Sequence, residues 1–238
     1  MKIVFGILAA IALAGPAFGV TSYSLGAVGG KDPGYGTLGI PVVTFDSAMY
    51  PGIKETDSGP AGSIGVYTGT VVDFSATPLG DTTKYESIQP GGSATFDFKD
   101  AKIKVGTISF YMGSIDTYNT FIVTTNKDST FYSGTDLPYN NGDQFSANTN
   151  RRVYVTFASG EIFRSITFAS SGIAFEYDTL AVAPSSLADG GGLGASIPAG
   201  ADLIFGAAVP EPESWALMLA GLAVVGAAAR RRGVATAR

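Results

Sequence analysis

The stretch Ser93–Phe98 (SATFDF), followed by Ile103–Met112 (IKVGTISFYM), decides the fold class of this chain. In the first run Ala94 and Phe96 alternate with polar neighbours, and this period of two is typical of a strand with one buried face. The second run is another stretch of the same kind. Both runs predict β structure.

Further short strand-like runs lie on both sides of this pair. They are separated by Gly, Asn, Ser and Pro clusters that are typical of turns. No stretch between residues 20 and 185 shows clear helical periodicity. The pattern predicts an all-β domain, an antiparallel β-sandwich of jelly-roll type. The further strand-like runs are Pro41–Asp46, Thr120–Thr124, Val153–Phe157, Ser165–Phe168 and Ile173–Tyr177.

The composition excludes several chemistries. The 238 residues include no Cys and no His, so disulfides, thiolate catalysis, Cys/His zinc sites and His bases are ruled out. The net charge is −5, and Lys2 and four of the arginines lie near the two ends. The central part is therefore more acidic than the whole chain, and we expect no nucleic-acid partner.

The first 19 residues have the pattern of a signal peptide. Lys2 precedes an apolar run, Ile3–Ala14, and the small residues Ala17 and Gly19 mark a cleavage site. We expect a signal helix that signal peptidase removes after Gly19. The alternative is an uncleaved membrane anchor, for which the apolar run is short.

The last 30 residues, 209–238, have three parts in a fixed order. A proline-rich entry contains Pro210, Glu211 and Pro212, and Trp215 suits a membrane interface. The apolar run Ala216–Ala229 follows. As a helix, Trp215 to Ala229 would span only about 22 Å, against about 30 Å for a bilayer core. This predicts a weak and transient membrane helix, with a buried helix of the domain as the alternative.

The tail ends with Arg230, Arg231 and Arg232, which suit the cytoplasmic side of a membrane. The Pro-Glu-Pro triplet, the Trp-Ala pair, the apolar span and these arginines together resemble the PEP-CTERM sorting signal. The resemblance implies recognition of Pro210–Pro212 by an exosortase, with the arginines as a cytoplasmic stop. It also implies delivery to the cell surface or to an extracellular matrix rich in exopolysaccharide, as in a biofilm.

Between the two ends we expect a sandwich domain over residues 20–183 and a flexible linker over residues 184–208. Within the domain, the glycine-rich residues 20–40 are predicted to form an N-terminal arm. The linker is rich in Gly, Ser and Ala, but it contains one apolar group, Leu203–Phe205. A last irregular strand at that group is the alternative.

One predicted loop is a candidate ligand site. Residues 110–121 resemble a G-S-x-D-x-Y-N stretch of exosortase-dependent surface proteins, which implies a surface protein without implying a reaction. Polar groups and an aromatic ring on a loop can bind sugars, although the same residue types also cap turns. The candidate residues are Ser114, Asp116, Tyr118 and Asn119, with a second set at Tyr139, Asn140, Asn141 and Asp143.

Catalysis is not expected, because no His-dependent triad, nucleophile elbow or phosphate-binding loop is present. A carboxylate pair of a secreted carbohydrate-active enzyme is the rival hypothesis. No cofactor is expected, and a calcium ion held by Asp46 and Asp178 is a further hypothesis. The carboxylates available for a catalytic pair are Asp97, Asp116, Glu161, Glu176 and Asp178.

The sequence therefore predicts an exported envelope or matrix protein that an exosortase sorts. We expect it to be structural or associated with exopolysaccharide. A lectin-like binding module and a secreted enzyme remain as alternatives.

Overall fold

The computed structural model describes residues 22–26, 28–34, 39–157, 160–184 and 202–205. Over these ranges the chain forms thirteen strands and one short 3-10 turn at Gly134–Asp136. The strands are β1 (Ser22–Leu25), β2 (Ile40–Val43), β3 (Lys54–Ser58), β4 (Ile64–Thr68), β5 (Lys84–Ile88), β6 (Ser93–Asp97), β7 (Val105–Met112), β8 (Asn119–Thr125), β9 (Ser129–Ser133), β10 (Arg151–Thr156), β11 (Phe163–Ser170), β12 (Phe175–Pro184) and β13 (Asp202–Phe205).

The strands form two antiparallel sheets. The larger sheet has eight strands in the order β13-β1-β10-β7-β12-β5-β4, with β2 also paired to β12. The smaller sheet has five strands in the order β3-β6-β11-β8-β9. The predicted all-β, antiparallel fold class is confirmed.

A layer of aromatic side chains joins the two sheets. Phe168 of the smaller sheet stacks on Tyr177 of the larger sheet, with ring centroids 4.0 Å apart. It also meets Phe110 edge-on at 4.8 Å. All three side chains are at most 1% exposed. Burial of such rings supplies a large share of the free energy of folding, so these contacts make the sheets one sandwich.

Strand β12 positions the polar residues discussed below. One of its edges pairs with β7. The other edge pairs with β5 over Phe175–Tyr177 and then with β2 from Leu180 onward. The register with β7 shifts between Asp178 and Ala181, and Thr179 has a positive φ of 41°. The partner change therefore leaves an irregular gap in the middle of this strand.

Each of the seven predicted strand runs corresponds to an observed strand, with small shifts of the ends. Five further strands, β1, β3, β4, β5 and β9, were not predicted. Strand β1 lies in the predicted N-terminal arm and pairs with β10. Residues Ser22–Leu25 of the predicted arm are therefore part of the larger sheet, because their backbone groups complete a hydrogen-bonded ladder there.

The residues that follow β1 are fastened to the sandwich. The Arg152 guanidinium forms an ion pair with Asp32 at 2.7 Å, although the Arg152 side chain is completely buried. The Tyr154 hydroxyl donates to the Gly34 carbonyl at 2.8 Å. Pairing and hydrogen bonding of this kind are what a buried guanidinium requires.

Strand β13 lies inside the segment that was predicted to be a linker. It pairs with β1 over Asp202–Phe205. At these residues the structure agrees with the alternative prediction, a strand at Leu203–Phe205, and not with a linker. The predicted signal helix at residues 1–19 and the predicted sorting tail at residues 209–238 lie outside the described residues. Within the described ranges, no helix has the length and apolar character needed to cross a membrane.

Candidate functional site

A cleft of about 650 Å³ lies where three connecting segments meet the start of β12. It brings together residues that are far apart in the sequence, including three of the four predicted ligand residues. Its lining consists of residues 70–76 from the β4–β5 connection, Ser114, Asp116 and Tyr118 from the β7–β8 connection, Gly142 and Gln144 from the β9–β10 connection, and Ile173, Ala174 and Glu176 at the start of β12.

The Asp116 and Tyr118 side chains act as one unit in this cleft. The Tyr118 hydroxyl donates to the Asp116 carboxylate at 2.6 Å and also lies against the Ile173 carbonyl. Burial raises the pKa of Asp116, and burial together with the Asp116 carboxylate raises the pKa of Tyr118. The unit offers acceptor oxygens next to an aromatic ring, and such groups bind sugar hydroxyls and the apolar faces of sugars.

Neighbouring glycines allow the close packing of this unit. A Cβ atom on Gly142 would lie 2.4 Å from the Asp116 carboxylate, and Gly142 has a positive φ of 67°. A Cβ atom on Gly172 would lie 2.5 Å from the Tyr118 ring. Part of one face of the Tyr118 ring is therefore covered by backbone, so the cleft presents the rest of the ring.

Glu176 connects two of the segments that form the cleft. Its Oε1 atom accepts from the Ala76 backbone N–H at 2.8 Å, and its Oε2 atom accepts from the Ser114 hydroxyl at 3.1 Å. The side chain is 2% exposed, and burial raises the pKa of Glu176 to about 7. The carboxyl group therefore ties two cleft-forming segments to β12.

The carboxyl groups of the cleft are held by hydrogen bonds from the protein. Both oxygens of Glu176 accept hydrogen bonds from the protein, and the Asp116 carboxylate is bonded to Tyr118. Of the other candidate carboxylates, Asp97 is paired with Lys99 at 3.0 Å. Asp97, Glu161 and Asp178 do not line the cleft.

The fourth predicted ligand residue, Asn119, lies elsewhere. It is the first residue of β8, pairs with Ser170 of β11, and is 1% exposed. Its side chain does not line the cleft, and its Nδ2 atom is buried without a hydrogen-bond partner. Asn119 is therefore a buried sheet residue in this structure.

The second predicted set belongs mainly to turns. The Asn140 side chain donates to the Gly134 carbonyl at 3.0 Å, and the Asp143 carboxylate accepts from the Phe145 N–H at 2.9 Å. Asn141 forms an isolated β-bridge with Asp116, while Tyr139 is 55% exposed. These contacts agree with the structural alternative, in which such residues cap turns.

The segment at residues 70–76 was missed by the sequence reasoning. It forms one wall of the cleft, with Val72 80% exposed and Asp73 at a positive φ of 58°. Its local sequence, Thr-Val-Val-Asp-Phe-Ser-Ala, looks like a weak strand and carries no ligand-binding motif. Its place in the wall of the cleft depends on a tertiary contact, the hydrogen bond between Ala76 and Glu176, which are 100 positions apart.

Three carboxyl groups, from exposed Asp57, half-buried Glu55 and buried Glu86, meet between strands β3 and β5. One ligand oxygen each from Glu55, Asp57 and Glu86 lies within 4.8 Å of the others. Burial, followed by the neighbouring Glu55, raises the pKa of Glu86 to about 9, and Tyr177 donates a short hydrogen bond to Glu86. Burial also raises the pKa of Glu55. Glu86 is therefore protonated at neutral pH.

The two residues of the calcium hypothesis lie beside the gap in β12. The Asp46 carboxylate accepts from the Lys84 N–H at 3.2 Å. Asp178 is 6% exposed, and burial, followed by the nearby Asp81, raises its pKa to about 6.

The C-terminal tail matches a known family model. Residues 208–232 match the model of the PEP-CTERM protein-sorting motif. The resemblance drawn from Pro210–Arg232 is confirmed. The motif implies an exported protein that is transiently anchored in a membrane and processed by an exosortase.

The other comparisons add little. No curated protein sequence matches the chain. A carbohydrate-binding module from Clostridium stercorarium, solved in complex with cellobiose, is similar with a TM-score of 0.34 at 14% identity, over 66% of this chain and 98% of the module. A tailspike protein of bacteriophage CBA120 has a TM-score of 0.34 at 18% identity, over 59% of this chain and 21% of the tailspike.

Proposed function

We propose that this chain is a non-enzymatic protein of the bacterial envelope or extracellular matrix, released there after an exosortase processes its tail. The observation that carries the proposal is the sorting motif at residues 208–232, which follows a β-sandwich domain. In this account signal peptidase removes residues 1–19, the tail is held briefly in the membrane, and the domain, of jelly-roll type, is the exported part. Association with exopolysaccharide, as in a biofilm, is part of the proposal.

A pair of single substitutions tests the sorting step. Glu211→Gln changes the centre of the Pro-Glu-Pro triplet, whereas Glu213→Gln makes the same chemical change two positions later. Expressed in the native bacterium, the Glu211→Gln protein is expected to stay in the membrane fraction with its tail intact. The Glu213→Gln protein should be released like the wild type. Equal release of both variants would contradict recognition of the triplet.

We propose lectin-like binding of an extracellular glycan as a second function, because the cleft gathers polar and aromatic groups. Asp116 supplies acceptor oxygens, Tyr118 supplies a ring edge, and Ser114 lies beside them. The rim is partly apolar, with Val72 and Ile173 exposed by 80% and 58%. Sugars have both polar edges and apolar faces, so this mixture fits them.

Glycan binding can be measured by affinity electrophoresis of the full chain, in mild detergent, through gels that contain the polysaccharide of the native bacterium. Asp116→Asn is expected to weaken the retardation at least fivefold, since it removes the charge of the Asp116–Tyr118 unit. Tyr139→Phe is the control, because Tyr139 is exposed and does not line the cleft. Equal retardation of wild type and Asp116→Asn would exclude the cleft as the glycan site.

The absence of catalysis also belongs to this proposal. It is supported by the bonding of Glu176, whose two oxygens hold Ala76 and Ser114. Hydrolysis of mixed polysaccharides that is lost on Glu176→Gln or Asp116→Asn substitution would establish the rival enzyme function instead.

A further inference from the structure

The gap in β12 collects acidic side chains, two of which have one carboxylate oxygen without a hydrogen-bond partner. Between Tyr177 and Leu180 the edge of β12 changes its partner from β5 to β2, and Asp178 and Thr179 occupy the gap. The connection that leads into β5 carries Asp81 and Thr83 to the same place, as the hydrogen bond between Thr83 and Asp178 shows.

Two carboxylate oxygens in this gap are buried without a hydrogen-bond partner. One is the Oδ1 atom of Asp178, and the other is the Oδ2 atom of Asp81. Asp178 is 6% exposed, so little water reaches its carboxyl group. Leaving a buried ionised oxygen unpaired costs at least as much as losing a hydrogen bond to a charged group.

The hydrogen bonds that these two carboxylates accept go to their other oxygens, Asp81 Oδ1 and Asp178 Oδ2. The Thr83 N–H also donates to Asp81 Oδ1, at 2.8 Å. The Thr83 hydroxyl lies 2.6 Å from Asp81 Oδ1 and 3.2 Å from Asp178 Oδ2. A hydroxyl has a single proton, so it can donate to only one of these oxygens at a time. The Thr179 hydroxyl donates to Asp178 Oδ2 at 3.0 Å, again on the side away from the unpaired Oδ1 atom.

The nearby guanidinium of Arg152 is paired with another carboxylate. Arg152 reaches the gap through Nη1, which donates to the Thr179 carbonyl at 3.1 Å. Its charge is matched by Asp32, to which both Nε and Nη2 donate, at 2.8 and 2.7 Å. A third carboxylate, that of Asp46, accepts from the N–H of Lys84, the residue after Thr83.

We propose that Asp178 and Asp81 bind a hard divalent cation of the Ca²⁺ class, with the Thr83 hydroxyl as a nearby oxygen donor. Ca²⁺ takes about six to eight oxygen ligands in flexible geometry, and water can supply those that the protein does not. The ion links the middle of β12 to the segment before β5. The site is separate from the cleft, because none of these residues lines it.

The second acidic group, Glu55, Asp57 and Glu86, provides a matched control. Its ligand oxygens lie close together. However, the Glu86 carboxyl group accepts a hydrogen bond from Tyr177, and its raised pKa keeps it protonated at pH 7.5. The experiment is a titration of Ca²⁺ into the chelator-treated full chain, in mild detergent at pH 7.5, followed by calorimetry. The wild type and Asp57→Asn are expected to bind one ion with affinities within twofold of each other. Asp178→Asn and Asp81→Asn are expected to bind at least tenfold more weakly.

Thermal unfolding of the same proteins separates loss of binding from loss of folding. Without Ca²⁺, Asp178→Asn should unfold at the same temperature as the wild type or higher, because one of two facing charges is gone. Added Ca²⁺ should then raise the midpoint of the wild type and of Asp57→Asn only. Absence of heat and of a midpoint shift in the wild type would overturn the proposal. So would wild-type affinity in Asp178→Asn, or weakened binding in Asp57→Asn alone.

Discussion

The clearest energetic test concerns the buried carboxyl group of Glu86. Glu86 is 2% exposed and faces Glu55 and the hydroxyl of Tyr177. Burial raises the pKa of Glu86 from its ordinary 4.5 to about 9 in the folded protein. Between these two pH values the folded state retains the proton that the unfolded state has lost. The stabilisation from this group is complete below pH 4.5 and is lost as the pH rises through 9.

The size of the effect follows from proton linkage. Each pH unit inside this window lowers the free energy of unfolding by about 1.4 kcal/mol for one group. From pH 5.5 to pH 8.5 the contribution of Glu86 therefore falls by about 4 kcal/mol, which is large against a typical total of about 5 to 15 kcal/mol. Glu86→Gln keeps the side-chain shape but removes the titration. We expect the free energy of unfolding of this variant, relative to that of the wild type, to increase by about 4 kcal/mol from pH 5.5 to pH 8.5.

The assay is urea unfolding of the full chain at half-unit steps of pH, with the slope of the transition compared between proteins. Glu176→Gln is the matched control, because Glu176 is equally buried but its pKa is raised only to about 7. As the pH rises, the free energy of unfolding of Glu176→Gln relative to the wild type should increase only up to about pH 7. For Glu86→Gln the same difference should continue to increase up to pH 8.5. Parallel stability curves for wild type and Glu86→Gln would refute the reasoning.

Two further predictions concern packing. Phe168→Ala removes a ring that contacts both sheets, and it should lower the free energy of unfolding by about 3 to 5 kcal/mol in urea titrations. The control is Phe145→Ala, at an 85% exposed position, which should change the free energy of unfolding by less than about 0.5 kcal/mol. Similar losses in the two variants would contradict the assigned core. Gly142→Ala and Gly69→Ala both place a Cβ atom at a positive φ, but only the Cβ atom at residue 142 meets the Asp116 carboxylate. Gly142→Ala should therefore cost more stability and also weaken glycan retardation, and identical effects of the two variants would show that the close approach is unimportant.

The strands that the sequence predicts are those with an apolar alternation. Strand β6 alternates buried and half-buried residues, and it was found from Ala94 and Phe96. Strand β3 pairs with β6 in register but was missed, because Glu55 and Asp57 occupy the positions opposite Phe96 and Ala94. A largely exposed edge strand with carboxylates at these positions has no hydrophobic pattern to detect.

The cleft was partly predictable for a similar reason. Ser114, Asp116 and Tyr118 stand out because polar and aromatic residues follow an apolar strand within one loop. Glu176 and the wall at residues 70–76 are joined only by tertiary contacts, such as the bond between Ala76 and Glu176. Asn119 belongs to the same motif, but the start of β8 turns it into the sheet. A single sequence holds no record of such pairings.

The measurement that tests the central claim most directly is mass spectrometry of the C-terminus of the protein isolated from its native bacterium. The account predicts a new end between Pro210 and Trp215, with the apolar run and Arg230–Arg232 removed. A protein that carries its intact tail through Arg238 in the membrane fraction would contradict processing, and would make the tail a permanent anchor.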